Sequence, residues 1–187
     1  MLEDGRLVRV GVAVSILQTY LQRLTDISEE SFDQATIYNH LDSQVDAIQI
    51  HPLYSDDEKR WGDGKVRILH AEIMQQGEIN SGFLLIGHRT DVLLEVIFQE
   101  AVRQPVFGLT LKNEFGSIIL TTNSREFDGK MRDFSEGERA RVAFGLTPWV
   151  ESGRYFLSLG VVSETPQGLV PHDRRYNALA LCFVCLS

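Results

Sequence analysis

The chain has little cysteine, two in 187 residues, and no second Cys or His pair stands near Cys182 and Cys185. Their C-x-x-C spacing falls on 179–185, an apolar run that reads as a strand. On a strand, positions i and i+3 face opposite ways and chelate poorly, so they read as ordinary cysteines of a reduced compartment. His40, His51, His70, His88 and His172 are scattered, without metal spacing or a His-Glu motif, and there is no G-x-S-x-G elbow. No apolar run approaches the roughly 18 to 20 residues that cross a bilayer. The first residues also lack the basic-then-apolar-then-small order of a signal peptide, so a cytoplasmic location is expected. Positive charge is not in excess either, because the formal net charge is −8. Without a basic stripe, nucleic acid is excluded as an expected partner.

What the chain does have is enough apolar matter, 43% of its residues, for one substantial core. Its charge is uneven. Residues 1–24 sum to +1, 25–64 to −8, and 65–187 to −1. In the first stretch, Asp4-Gly5 between Leu2-Glu3 and Arg6-Leu7-Val8 is a hairpin signal. Val14, Leu17, Leu21 and Leu24 then recur at helical spacing. A hairpin and one short helix cannot bury both apolar faces alone, so 1–24 reads as the end of a domain whose remainder lies elsewhere. Residues 25–65 read as an acidic, solvated linker, with a short helix possible from Ser28 to about His40.

The body is expected over 66–187. Candidate strands are 66–74, 79–87, 92–99, 106–113, 117–123, 139–147, 154–162 and 178–185, separated by Gly- and Asn-bearing turns. About eight short strands with little helix predict an all-β, antiparallel β-sandwich. Three of the strands alternate bulk with small or polar residues. Phe107, Leu109 and Leu111 alternate with Gly108, Thr110 and Lys112; Val142, Phe144 and Leu146 with Arg141, Ala143 and Gly145; Tyr155, Leu157 and Leu159 with Phe156, Ser158 and Gly160. Were all three in one sheet, its outward face would be a shallow trough, better suited to an extended ligand than to catalysis.

Three markers occur in order: Gln104-Pro105-Val106-Phe107-Gly108-Leu109-Thr110-Leu111-Lys112-Asn113 with Phe115-Gly116, then Ser152-Gly153-Arg154-Tyr155-Phe156-Leu157-Ser158-Leu159-Gly160-Val161, then Ala180-Leu181-Cys182-Phe183-Val184. Together they resemble the C-terminal domain of the ATPase subunit of ABC transporters that export O-antigen polysaccharide, the Wzt type. The stretch from Leu2 through Gly11 to Leu21 is similar to the tail of an ABC ATPase domain. The chain carries no G-x-x-x-x-G-K-[ST] phosphate loop, so it is not expected to bind or hydrolyse ATP. The resemblance implies a jelly-roll-like or immunoglobulin-like sandwich that binds the non-reducing end of a polysaccharide without a cofactor. It further implies a homodimer exchanging the C-terminal strand, and a membrane channel as partner of the full-length protein. Residues 164–177 read as a Pro- and Gly-bearing loop long enough for that exchange.

Recognition of sugar needs hydrogen-bonding side chains beside a flat apolar surface. The candidates are Gln99, Thr110 and Ser158 for hydroxyls, Phe156 as a stacking ring, and Lys112 and Arg141 for an acidic group. Two other readings are a purely structural dimerisation domain and a jelly-roll glycosidase. For the latter, Glu95 is the only carboxylate expected on the proposed face.

Overall fold

The computed structural model describes residues 2–3, 6–7, 11–12, 45–126 and 131–185. In chain order its strands are β1 (Leu2–Glu3), β2 (Arg6–Leu7), β3 (Gly11–Val12), β4 (Lys59–Trp61), β5 (Val66–Gln75), β6 (Glu78–Ile79), β7 (Leu84–Leu85), β8 (Thr90–Phe98), β9 (Val106–Asn113), β10 (Ile118–Asn123), β11 (Arg139–Leu146), β12 (Gly153–Thr165) and β13 (Gly168–Val184). Strands β1 and β2 pair antiparallel, Leu2 opposite Leu7 and Glu3 opposite Arg6, as the hairpin signal predicts. The helices expected near 14–24 and 28–40 lie outside the described residues.

Two sheets stack into a sandwich. The first runs β3-β11-β8-β5-β6, and the second runs β10-β9-β12-β13-β4, with β7 lying parallel to the end of β13. Alternation sets the phase of every long strand. Phe107, Leu109 and Leu111 of β9, and Tyr155, Leu157 and Leu159 of β12, turn inward to meet Val142 and Phe144 of β11. Phe98 and Phe134 stack with centroids 4.2 Å apart, and Phe107 meets Phe134 edge-on. Full burial of such rings contributes about 2–3 kcal/mol each. Tyr155 packs edge-on against Phe183 and donates its hydroxyl to the Glu151 carbonyl at 2.9 Å, satisfying its only polar atom.

Three expectations change. First, the described end of the supposed linker, from Val45 on, is built into the body. Ile48 and Leu53 are core residues, and the backbone of 53–55 hydrogen-bonds to Ala178 and Ala180 of β13. Second, the expected strand over 79–87 survives only as β6 and β7, two residues each. Third, 164–177 is not a loop. Strand β12 turns back through Pro166-Gln167, and β13 pairs with it from Gly168 onward. The polar run His172-Asp173-Arg174-Arg175 looks solvated in sequence, yet His172, Asp173 and Arg175 are buried among partners from 46–63.

Gly62 explains how the 62–64 turn sits so tightly on β13. Its φ is +151°, and a Cβ there would lie 2.3 Å from the His172 carbonyl oxygen. Only glycine allows that approach. His172 then clamps the turn, its ring lying between the Asp63 carboxylate at 2.9 Å and the Ser163 hydroxyl at 2.8 Å. Partial burial pushes the Asp63 carboxyl upward, but the Lys65 amide and His172 outweigh it and hold the group below its ordinary range.

Candidate functional site

Strands β9 and β12 are neighbours, with Gly108 opposite Gly160, Thr110 opposite Ser158 and Lys112 opposite Phe156. Because their bulky partners fill the core, these six residues form the outward face of the second sheet. The four candidates Thr110, Lys112, Phe156 and Ser158 therefore come together. Strand β13 extends the same face, placing Arg174 opposite Gly160, and β4 adds Trp61 opposite Arg174. The result is a glycine floor at Gly108 and Gly160, bordered by hydroxyls and by the rings of Phe156, Tyr176 and Trp61.

Local contacts hold this surface in shape. The Thr110 and Thr121 hydroxyls approach at 3.3 Å across β9 and β10. Lys112 Nζ sits 4.1 Å from the Tyr176 ring centroid. Arg154 lies over Phe156 at 5.0 Å, and Arg174 over Trp61 at 5.6 Å. Ser158 has a structural duty as well. The β12–β13 register shifts between Leu157 and Leu159, and the Ser158 hydroxyl accepts the Asn177 amide at 2.9 Å. Asn177 itself has φ 51°, the left-handed conformation that a bulge of this kind uses.

The remaining two candidates fall elsewhere. Strand β11 belongs to the first sheet, where it pairs with β8, so Arg141 does not share a face with Thr110 or Ser158. Alternation reports the face of a strand within its own sheet, never which sheet it joins. Arg141 is also 5% exposed, and its Nε and Nη2 donate to Glu95 Oε2 at 3.0 and 2.8 Å. Arg139 binds the other Glu95 oxygen at 3.2 Å. Gln99 follows the end of β8 in that same sheet, its backbone N–H donating to the Lys65 carbonyl. Glu95, the glycosidase candidate, is thus buried and held by two guanidinium groups, out of reach of a glycan.

Tyr176, Arg154 and Trp61 were not among the candidates. Sequence reading put Arg174 in a loop. The available signal was the alternation of Arg174 and Tyr176 with buried Asp173 and Arg175, which the charge of the run masks. Trp149 is 81% exposed and lies over Gly87. Among the described residues no group of three or more His, Cys, Asp or Glu is arranged to hold a metal ion. Cys182 is half-buried and Cys185 exposed. No helix among the described residues is long and apolar enough to cross a membrane.

Two stacked antiparallel sheets, one of them with a ring-studded outward face, make the protein an all-β sandwich. The comparisons with known proteins give it a family. The model of the Wzt C-terminal domain matches residues 57–184, and the chain belongs to that family. A crystal structure of the C-terminal domain of wzt is 30% identical, with a TM-score of 0.73, covering 79% of this chain and 90% of that one. Two structures of the CARDB domain of PF1109 from Pyrococcus furiosus match at 11% identity and TM-score 0.36, over 64% and 71% of this chain and 94% and 93% of theirs, and carry no argument. No curated protein matches the chain.

Proposed function

We propose that this domain is the cargo-recognition module of an O-antigen exporting ABC transporter, and that it binds the non-reducing terminal region of the polysaccharide. Family membership supports the transporter context. The observation that carries the binding reading is the outward face of the second sheet, where three rings and rows of hydroxyls surround a floor of Gly108 and Gly160. A pyranose stacks its C–H face on a ring while its hydroxyls find Thr110 and Thr121. Each exposed hydrogen bond nets only about 1 kcal/mol, so recognition is modest per contact and specific through their number. On this reading the domain selects finished chains for export and is not an enzyme.

The same reading places the protein in the cytoplasm, peripheral to the inner membrane, with residues 1–24 as the end of an ATPase domain. It acts as a homodimer that meets the membrane subunit through the full-length protein. With 164–177 paired rather than free, exchange of the C-terminal strand would hinge at the register break beside Asn177. A second reading, in which the domain only joins two subunits, draws on one observation: Ile118 and Ile119 are exposed on the edge strand β10, next to exposed Phe115.

Titrating the isotope-labelled chain with non-reducing-end oligosaccharides of the cognate polysaccharide, followed by amide NMR, tests the first reading. Shifts gathered on Gly108, Thr110, Phe156 and Gly160 are expected. Silence there, or shifts confined to the first sheet, would overturn it in favour of the second.

A further inference from the structure

We propose that Tyr176, held by Lys112 across β12, is the specificity-determining residue of this face: its ring stops the trough, so that a chain end fits and an interior repeat does not. The inference rests on the glycan reading above and names the group that tells the two apart.

Lys112 belongs to β9 and Tyr176 to β13, with β12 between them. Neighbouring strands lie about 4.8 Å apart, so the two backbones are separated by about 10 Å. Lys112 Nζ nevertheless sits 4.1 Å from the centroid of the Tyr176 ring. The two side chains therefore meet above β12, and the ladder fixes the place. Leu159 pairs with Arg175 and Leu157 with Leu179, so Tyr176 falls opposite Ser158. Ser158 faces outward beneath this crossing and is only 7% exposed. Phe156, directly opposite Lys112, borders the same crossing.

A regular ladder would not aim a tyrosine this way. Between those two pairs β12 advances from 157 to 159 while β13 advances from 175 to 179, and the surplus forms a bulge. Bulges bend a strand and re-aim its side chains. This one is pinned from β12, where the Ser158 hydroxyl accepts the Asn177 amide at 2.9 Å while Asn177 holds its left-handed φ of 51°. The cation over the ring then fixes Tyr176 from the other side. Next to the crossing, Gly160 stands opposite Gly108, and no side chain projects from either position. The floor thus drops to the backbone two residues from Ser158, about 7 Å along the strand. A sugar lying on the glycines abuts the Tyr176 ring. A terminal residue, with no bond onward, can end there. An interior residue must continue over the ring, and its chain lifts off the floor and loses the stacking and hydroxyl contacts.

The test is calorimetric titration of the full chain with O-polysaccharide released from the lipopolysaccharide of the cells that make this protein, divided by size into a long and a short pool. Counted per polysaccharide chain, the two pools should bind the unaltered protein with equal affinity and one site each. In Tyr176→Ala the interior repeats become ligands, so the long pool should bind roughly tenfold tighter per chain than the short pool and take up several proteins. Tyr176→Phe keeps the ring and should match the unaltered protein. Lys112→Met, which frees the ring without removing it, should move partway toward Tyr176→Ala, and melting curves check that each variant is folded. A folded Tyr176→Ala protein that still binds both pools equally, or that binds neither, would overturn the assignment of Tyr176 and leave the glycan reading standing. Should Tyr176→Ala not fold, a Lys112→Met protein indistinguishable from the unaltered one would overturn it equally. Absence of binding to either pool by the unaltered protein would overturn the glycan reading itself.

Discussion

Arg60 and Arg175 stand directly opposite each other across the β4–β13 ladder, two cations in register at the margin of the core. Asp46 holds them together, one carboxylate oxygen on each guanidinium. Asp173 takes the Nε and Nη2 of Arg60 at 2.9 and 2.7 Å, and Glu58 takes the Nε and Nη2 of Arg175 at 2.5 and 3.1 Å. Arg175 is wholly buried and also donates to the Ile68 carbonyl. This network fastens the 46–60 segment to β13 and so fixes β4, the strand that brings Trp61 to the binding face.

Replacing Arg175 with Met should therefore destabilise the fold by about 3–5 kcal/mol, because Glu58 would be left buried without its cation and Asp46 would keep only Arg60. Urea unfolding measures it. The double change Arg175→Met/Glu58→Gln should recover part of the loss, which additive contributions would not.

Gly62→Ala should also weaken the protein, by at least about 1 kcal/mol, since the added methyl meets the His172 carbonyl and the backbone is left-handed. Thermal unfolding reads this as a fall of several degrees. Gly64→Ala makes a useful comparison, because a Cβ there meets nothing within 4 Å, although φ is again positive.

Stability should depend on pH through His51. Burial lowers its pKa from the ordinary 6.5, and the neighbouring His70 pushes the same way, against Asn80 and Glu72. The folded protein then binds fewer protons than the unfolded chain between the lowered value and 6.5. That part of the stability is complete above 6.5, declines as the pH falls through the window, and levels off below the folded value. Urea midpoints measured on acidification should show the decline, and His51→Gln should flatten it.

Removing a ring from the outward face should weaken glycan binding and spare the fold. Trp61 is 51% exposed, so Trp61→Ala is expected to cost roughly tenfold in affinity with little change in unfolding temperature. Phe156→Ala should behave alike in binding. Calorimetric titration alongside a melting curve separates the two effects.

Much of this architecture was readable from residue order. Strand 106–113 matches β9 at both ends, and the inward phase of Phe107, Leu109, Leu111, Tyr155, Leu157 and Leu159 follows from alternation alone. Alternation likewise puts Thr110, Lys112, Phe156 and Ser158 on the side of their strands away from the core, Ser158 being buried there at 7% exposure. Arg141 was misplaced, because a period of two carries no information about which sheet a strand enters. Residues 164–177 were misjudged because the buried charge of 172–175 looks like solvated charge until its partners are known. Those of Arg175 and Asp173, Glu58 and Arg60, lie more than a hundred positions away. Trp61 was missed for a related cause, since β4 is three residues long and exists only through its pairing with β13.

The most direct test of the glycan-binding face fills its floor. In Gly160→Leu the new Cβ would lie 3.0 Å from Arg174 Cδ, so the side chain would push the flexible Arg174 stem aside and cover the floor, on a strand backbone without a positive φ. The dissociation constant for the cognate terminal oligosaccharide, measured by calorimetry, should rise at least roughly tenfold while the melting temperature stays within a few degrees. An unchanged dissociation constant in a folded Gly160→Leu protein would contradict the account.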